Sequence, residues 1–460
     1  MSKILQQKNI ALKVVQALQS KGFLAFFAGG CVRDNLLGRE PKDYDVATNA
    51  IPEEVEALFP KTIPIGKAFG VIAVVEGKET VEVATFRKEA GTLDGRHPET
   101  VHFCAAKEDA LRRDFTINGI FYDPVAEQLH DHVHGQRDLE KRIITAIGDP
   151  TERFKEDHLR MLRAVRFAHT LGFALDPETE NAIRNMAHLI AKISAERIEM
   201  ELTRILVESL RPGDALVHLY ELGLLEYILP ELLPMVGQEQ PPQFHPEGDV
   251  FEHTVLMLNL MNEQAGMPAL SETKPAYTAR ELAYTVLLHD VGKPPTARIG
   301  PGTDGKPRIR FDGHASIGAE MAETILSRLR FPNKEKQHIV EAIRGHMRFM
   351  EVRKMRTAKL RKMIGAETFD LEIELHRLDC LGSHEMLDNY DFLADYMEEM
   401  ANEPILPEPW ICGHDLIDMG IKEGRLIGQI LKEAYDAQME ERFANRDELL
   451  DWLRSTYPSG

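Results

Sequence analysis

Gly29-Gly30-Cys31-Val32-Arg33-Asp34-Asn35-Leu36-Leu37-Gly38, followed at once by Lys42-Asp43-Tyr44-Asp45-Val46, is the stretch that decides how this chain reads. The apolar run ahead of it, Leu24 to Ala28, reads as a short buried strand. Two glycines then let the backbone turn sharply and expose its N–H groups. A helix follows, with Arg33 at its start. Exposed amides, a helix N-terminus and a guanidinium together form a cradle for phosphate. Asp43 and Asp45 come next, in a strand-like segment where alternate side chains share a face. Two carboxylates on one face bind hard divalent cations such as magnesium, which usually also contact substrate phosphates. A triphosphate cradle beside such a pair points to nucleotidyl transfer with two metal ions.

The bulk numbers frame that reading. At 460 residues the chain exceeds one ordinary core, so several domains are expected. Hydrophobic content of 43% and charged content of 28% are those of a soluble globular protein. No apolar run approaches the roughly 18 residues of a membrane span, and Met1 to Lys8 lacks the apolar core of a secretory signal. A cytoplasmic protein without a membrane partner is expected. Cys31, Cys104, Cys380 and Cys412 show no paired spacing, which fits reduced thiols rather than disulfides or a zinc site. A net charge of −19 argues against a surface that coats nucleic acid, and DNA is not an expected partner. Residues 352–362 carry six basic side chains and no acid. By itself this is a solvated helix face; beside a nucleotidyl-transfer site it is a candidate contact for an RNA backbone.

The expected fold class is α+β, with a mixed α/β head followed by all-helical parts. Residues 1–148 form the head, with a helical pattern from Gln7 to Ser20 and strand-like segments at 24–28, 43–48, 71–75, 80–86, 100–103 and 119–122. From about 150 the periodicity is helical: a neck at 149–233, a histidine-rich block at 249–400 and a tail at 401–460. The Pro- and Gly-rich segment 234–248 reads as a linker or irregular loop.

Three further strings in the first half carry chemistry. Glu82 alternates along a strand pattern and is a candidate third carboxylate beside Asp43 and Asp45; otherwise it is one exposed acid on a half-buried strand. Arg112-Arg113-Asp114-Phe115-Thr116-Ile117-Asn118-Gly119 gathers two cations, an acid and an amide, enough to contact phosphate, ribose and base, or to cap a turn. In Lys155 to Phe167, the spacing of Asp157 and Arg160 predicts one shared helical face. The pair is then either an i,i+3 ion pair worth about 0.2–0.5 kcal/mol or an acceptor–donor pair that reads a base edge.

Taken in order, these strings resemble the class II tRNA nucleotidyltransferases and bacterial poly(A) polymerases of the polymerase beta superfamily. The resemblance runs over residues 22–210: GGCVRDNLLG…DYD, VEVATFR, LDGRHPETVHF, RRDFTING, EDHLRMLRAVRF and Ile193 to Ile198. It implies that Asp43 and Asp45 hold Mg2+, and that Gly29, Gly30 and Arg33 contact the triphosphate. Arg113, Asp114 and Asn118 would hold the sugar and place the nucleotide. Asp157 and Arg160 would select cytosine and then adenine, with Arg163 beside them. The loop Glu89 to Pro98 matches a flexible element tied to the switch from C to A addition. Gly119 departs from the usual alanine. The implied activity is addition of CMP and AMP, from CTP and ATP, to the 3′ end of tRNA or another RNA. A poly(A) polymerase or an A-adding relative is the alternative; Ile65 to Val71 lacks the arginine-rich string of the polymerases and leans toward CCA addition.

The histidine-rich block adds a second constellation: His253, the adjacent His289-Asp290 before Gly-Lys-Pro, His314, His346 and Asp379. A lone helical histidine is usually structural, but the order His…His-Asp…Asp is similar to HD-superfamily phosphohydrolases. That resemblance implies a divalent metal (Mg2+, Mn2+, Ni2+ or Fe2+) on His253, His289, Asp290 and Asp379, with His314 and His346 as extra ligands or phosphate contacts. A 2′,3′-cyclic phosphate on damaged RNA is the expected phosphoester. An HD phosphohydrolase whose head only binds RNA is the remaining alternative, and the intact Asp43 and Asp45 speak against it. His130, His132 and His134 lie outside the matched strings and read as ordinary strand and turn residues. In the tail, Gly420, Gly424 and Gly428 at spacing four suit either helix packing or close approach of a phosphate.

Overall fold

The computed structural model describes residues 3–92, 98–263, 276–301, 305–422 and 424–458. The chain divides into two compact units, Met1–Leu233 and Pro234–Gly460.

Unit 1 opens with a helix, Lys3–Ser20, whose Ile10, Ala11, Val14, Val15 and Leu18 recur at helical spacing and are buried. The head sheet contains β1 (Ala25–Ala28), β2 (Asp45–Thr48), β3 (Thr62–Gly66), β4 (Val71–Glu76) and β5 (Glu79–Thr85). A separate hairpin pairs β6 (Arg87–Thr92) with β7 (Pro98–Phe103), and β8 (Ile120–Asp123) and β9 (Gln128–Asp131) complete the main sheet. Its order is β3-β4-β5-β2-β1-β8-β9. Among the described pairs of this sheet, β2 and β5 run parallel and the others antiparallel, so the sheet is mixed. Strand β1 sits near the centre and is buried along its whole length, which explains its unbroken apolar run. Phe26, Ala28, Ala47, Phe86, Ala110 and Phe121 pack as the core beneath the turn that follows it.

After the sheet come the helices Pro150–Glu156, Arg160–Leu171, Pro177–Met186, Ala195–Glu208 and Pro212–Glu221. Asp149 and Asp176 cap the first and third, each followed by a proline at the first helical position. One expectation fails here. Asp157 and Arg160 do not share a helical face, because the helix breaks at Asp157, whose backbone is extended (φ −148°). The Asp157 carboxylate accepts the Leu159 N–H at 3.1 Å. An aspartate that competes for backbone donors this way ends one helix and starts the next. Strands β3 and β6 also escaped the sequence pattern, whereas β9 falls where His130 reads as a strand residue; β3 is an edge strand with a proline and an exposed face, so its alternation is weak. Strand β2 begins at Asp45, two residues later than its pattern suggested.

Among its described residues, unit 2 is helical apart from one short hairpin, Arg298–Pro301 with Pro307–Arg310. Helices Val250–Glu263, Ala279–Leu288, His314–Arg328, Asn333–Gly345 and Phe369–Leu381 build its centre. The tail helices Gly413–Asp418, Arg425–Met439 and Arg446–Thr456 share their own core around Leu416, Ile430 and Leu453. A Cβ on Gly424 or Gly428 would meet nothing within 4 Å, so these two do not serve helix packing. The basic run 352–362 is not one solvated face. Arg361 is buried and donates to the Pro404 and Ile405 carbonyls, and Lys362 pairs with Asp436. All four cysteines are free. No helix among the described residues is long and apolar enough to cross a membrane.

Candidate active site and metal centre

The β1 turn is built as its sequence requires. Gly29 has φ +72°, and a Cβ there would lie 3.1 Å from the Arg113 guanidinium. The helix Gly30–Leu36 starts directly after it, with Arg33 as its fourth residue. Tyr44 is buried and meets Phe27 edge-on at 5.3 Å, which turns Asp43 and Asp45 on either side of it the opposite way. Both aspartates line one cleft of about 970 Å3, together with Gly29, Gly30, Arg33, Arg113, Asp114, Asn118, Asp157, Arg160 and Arg163. Eleven basic side chains face seven acidic ones in its lining, a cationic site in a chain of net charge −19.

Glu82 is not in that lining, but it stands one residue before the Val46–Val83 pair of parallel β2 and β5, level with Asp45. Burial, then the Asp43 and Glu82 carboxylates, push the Asp45 carboxyl up to about 7. An Asp45 carboxylate made costly to ionise by two neighbouring acids belongs to a donor set suited to a hard divalent cation.

On the cradle side, Arg33 donates to Asn118 Oδ1 at 2.8 Å and pairs with Asp34 at 2.7 Å. Arg113 pairs with Asp109 at 3.2 Å and donates to the Asn118 carbonyl at 3.2 Å. Asp114 is buried and takes two hydrogen bonds from Arg163, at 2.9 and 2.5 Å, one from the Asn118 amide at 3.1 Å and one from the Phe115 N–H at 2.8 Å. Burial alone would raise its carboxyl; the Arg163 guanidinium outweighs that and holds it well below the usual range. Arg163 continues to Glu201 at 3.5 Å, and Glu201 pairs with Arg166 at 2.6 Å. A buried chain of charges thus ties the Asp114 turn to the helix Ala195–Glu208.

Asp157 and Arg160 meet in the cleft without pairing to each other. Asp157 takes a hydrogen bond from Arg197 at 2.8 Å; Arg160 donates to Glu156 at 2.8 Å and to the Arg112 carbonyl at 3.1 Å. The i,i+3 ion pair is therefore not formed. Arg197, Glu201, Arg166 and Glu156 were not singled out from the sequence. Arg197 stood inside the quoted Ile193–Ile198 string, but only the fold shows which acid it reaches. The middle of the Glu89–Pro98 loop, 93–97, lies outside the described residues; its flanks form the β6–β7 hairpin. The His130 ring packs tilted against Phe26 at 4.6 Å between centroids, as a strand residue does.

Unit 2 brings all six of its expected donors together. His253, His289 and Asp379 place ligand atoms within 4.8 Å of one another, and so do Asp290, His314 and His346. Each of His289, His314 and His346 directs Nδ1 to a backbone carbonyl, Val286 at 2.8 Å, Phe311 at 2.8 Å and Ile343 at 2.6 Å. That fixes the proton on Nδ1 and leaves Nε2 as the ligand atom. The Nε2 atoms of His314 and His346 face each other at 3.1 Å. Burial pushes His346 down to about 4. His253 Nδ1 is held by Glu247 at 2.6 Å. The buried Nε2 atoms of His253 and His289 have no hydrogen-bond partner, although carboxylate oxygens of Asp379 and Asp290 stand 3.1 Å away. Orphaned imidazole lone pairs aimed at carboxylates fit a divalent metal. The segment 234–248 is more than a linker: besides Glu247 it supplies Gln240, which binds the Lys293 ammonium at 2.6 Å, while Lys293 pairs with Asp290 at 2.6 Å.

Comparison with known proteins gives three family matches: "Poly A polymerase head domain" over residues 25–145, "Probable RNA and SrmB- binding site of polymerase A" over 172–235, and "HD domain" over 250–378. The chain is 48% identical to a CCA-adding enzyme of Geobacillus sp. (strain WCH70) over 231 residues, which are 50% of this chain and 55% of that enzyme. It is 46% identical to a CCA-adding enzyme of Bacillus pumilus over 197 residues, 43% of this chain and 49% of that enzyme. These alignments span about half the length of the relatives. The crystal structure of the Bacillus stearothermophilus CCA-adding enzyme in complex with CTP superposes with a TM-score of 0.72 at 28% identity, covering 99% of this chain and 98% of that one.

Proposed function

From a chain that carries a poly A polymerase head domain, a polymerase-type RNA-binding region and an HD domain, we propose an enzyme that adds CMP and AMP, from CTP and ATP, to tRNA 3′ ends. It builds and repairs the CCA terminus without a nucleic-acid template. The observation that carries this reading is the single cleft that gathers the glycine turn, the carboxylate pair and the Asp157–Arg160 pair. The likeness to a CTP-binding enzyme over nearly its whole length supports it. The division into head 1–148, neck 149–233, HD body 249–400 and tail 401–460, and a cytoplasmic setting among tRNAs, belong to the same proposal.

In this reading the Gly29 and Gly30 amides and Arg33 take the triphosphate, while Arg113 and Asn118 hold the sugar. Asp114 and Arg163 keep that turn in place. Asp43 and Asp45, with Glu82 at the margin, hold magnesium. Divalent ions held by these carboxylates would lower the pKa of the RNA 3′-hydroxyl and offset charge on the triphosphate. The protein's share is alignment and fixed charge. Asp157 accepts from the exocyclic amino group of cytosine or adenine, and Arg160 donates to the adjacent ring nitrogen. Uracil and guanine present a carbonyl and an N–H there, so each meets a like partner and leaves groups unpaired.

In unit 2, His253, His289, Asp290 and Asp379, with His314 and His346, hold a divalent metal, Mg2+, Mn2+, Ni2+ or Fe2+. The reaction class is phosphoester hydrolysis. A 2′,3′-cyclic phosphate fits best, because such an RNA end has no free 3′-hydroxyl for the head to extend. Single-nucleotide incorporation tests the main activity: tRNAs ending before CCA, or after its first C, take CTP alone, and those ending in CC take ATP alone. Equal use of ATP on all three ends overturns the reading.

A further inference from the structure

We propose that the ring of Phe69 is the stacking platform for the terminal base of the RNA acceptor end. The inference rests on the reaction proposed above and adds the subsite that receives the RNA.

The cleft is strongly polar, and three large apolar side chains line it: Phe69, Phe167 and Leu171. Leu171 is buried, and so is Phe167, whose ring lies under the guanidinium of Arg166 at 4.1 Å. Phe69 is 40% exposed, so among the described lining residues it alone offers a free aromatic face. Singly exposed apolar residues are common and need no explanation. Phe69 differs because its backbone is clamped. It ends a single 3-10 turn, Lys67–Phe69, closed by the Gly70 N–H on the Lys67 carbonyl at 3.0 Å. Gly70 is left-handed (φ +77°), and a Cβ there would press on the Phe103 ring at 3.1 Å and Thr85 at 3.3 Å. The Thr85 N–H binds the Gly70 carbonyl at 2.8 Å, and the Arg87 guanidinium donates to the Phe69 carbonyl. A ring presented on a fixed turn loses little entropy when it binds.

The chemistry then selects the occupant. Asp157 and Arg160 already face the edge of the incoming base. The other base in a transfer site is that of the RNA end, and its identity changes as the product grows: any nucleotide first, then C, then C again. A hydrogen-bonding reader at that place would reject at least one of these ends. Stacking on an aromatic face accepts every base, because every base has a π-face.

The test uses the full chain and tRNA acceptor stems ending before CCA or after its first C. Phe69→Ala and Phe69→Leu should each raise the Kd for both RNA ends roughly tenfold, judged by what one stacked base contributes. The KM for CTP and ATP should stay within about twofold, and Phe69→Tyr should restore wild-type RNA affinity. Thermal unfolding of the variants checks the fold. An unchanged RNA Kd, a rise in nucleotide KM instead, or a Phe69→Leu protein as good as wild type each overturns the proposal. Because RNA binding is read apart from incorporation, a wild-type protein that adds neither C nor A refutes the reaction, while the Kd comparison still judges the platform.

Discussion

Replacing Arg197 with alanine should blunt base selection without touching the bases directly. Asp157 stands in extended backbone between two helices, so no helix geometry aims its carboxylate. Two hydrogen bonds do: the Leu159 N–H at 3.1 Å and Arg197 at 2.8 Å. Both side chains of the Asp157–Arg197 pair are about one-fifth exposed, 23% and 19%. A charge-assisted hydrogen bond of that kind is worth about 1.5–3 kcal/mol. Partial exposure and the surviving Leu159 contact place the loss near the lower end, about 1.5 kcal/mol, or roughly tenfold in rate. Single-turnover incorporation of CTP, ATP, UTP and GTP by wild type, Arg197→Ala and Arg197→Lys measures this. Preference for CTP and ATP should fall about tenfold in Arg197→Ala and partly recover in Arg197→Lys, while triphosphate affinity stays the same. A folded Arg197→Ala protein with full selectivity would refute the idea that this contact aims Asp157.

Asp43→Ala or Asp45→Ala should abolish nucleotide addition yet leave the unit folded, since both carboxylates face the cleft; normal turnover by either folded variant would sink the metal assignment. His289→Ala combined with Asp290→Ala should strip bound metal from unit 2 in elemental analysis while CTP and ATP incorporation persists; loss of addition with normal RNA binding would contradict separate sites. The His169–His218 contact at 3.0 Å gives a pH dependence. Burial and then the neighbouring His218 lower His169 to about 4; burial also lowers His218, against Glu180 and Glu221, which raise it, and Asp214 raises His169. A base whose folded pKa lies below its unfolded value near 6.5 adds stability that is present above that pH and fades as pH falls toward 4. Urea unfolding of His169→Gln should therefore show a flatter loss between pH 6.5 and 4 than wild type, and an unchanged slope would count against it.

Local chemistry was legible in the sequence wherever a residue acts through its own backbone. The glycine turn before Arg33, the Asp43-x-Asp45 alternation around buried Tyr44, and the adjacent His289-Asp290 all follow from near neighbours. What the pattern missed depends on contacts far along the chain. Arg197 is 40 residues from Asp157, and Arg163 is 49 from Asp114, so no spacing rule links them. The shared helical face of Asp157 and Arg160 failed for a local reason, because aspartate competes for backbone donors and ends the helix. Glu247 was hidden in a segment whose prolines and glycines read as a linker, though its carboxylate holds His253.

If the proposed activity holds, one protein cleft writes C, C and A in order. The most direct measurement is sequencing of the 3′ ends made when a tRNA lacking CCA is incubated with this protein, CTP, ATP and magnesium. Ends that read CCA and then stop are expected. Runs of A, or A joined directly to an end without CC, would contradict the proposed activity.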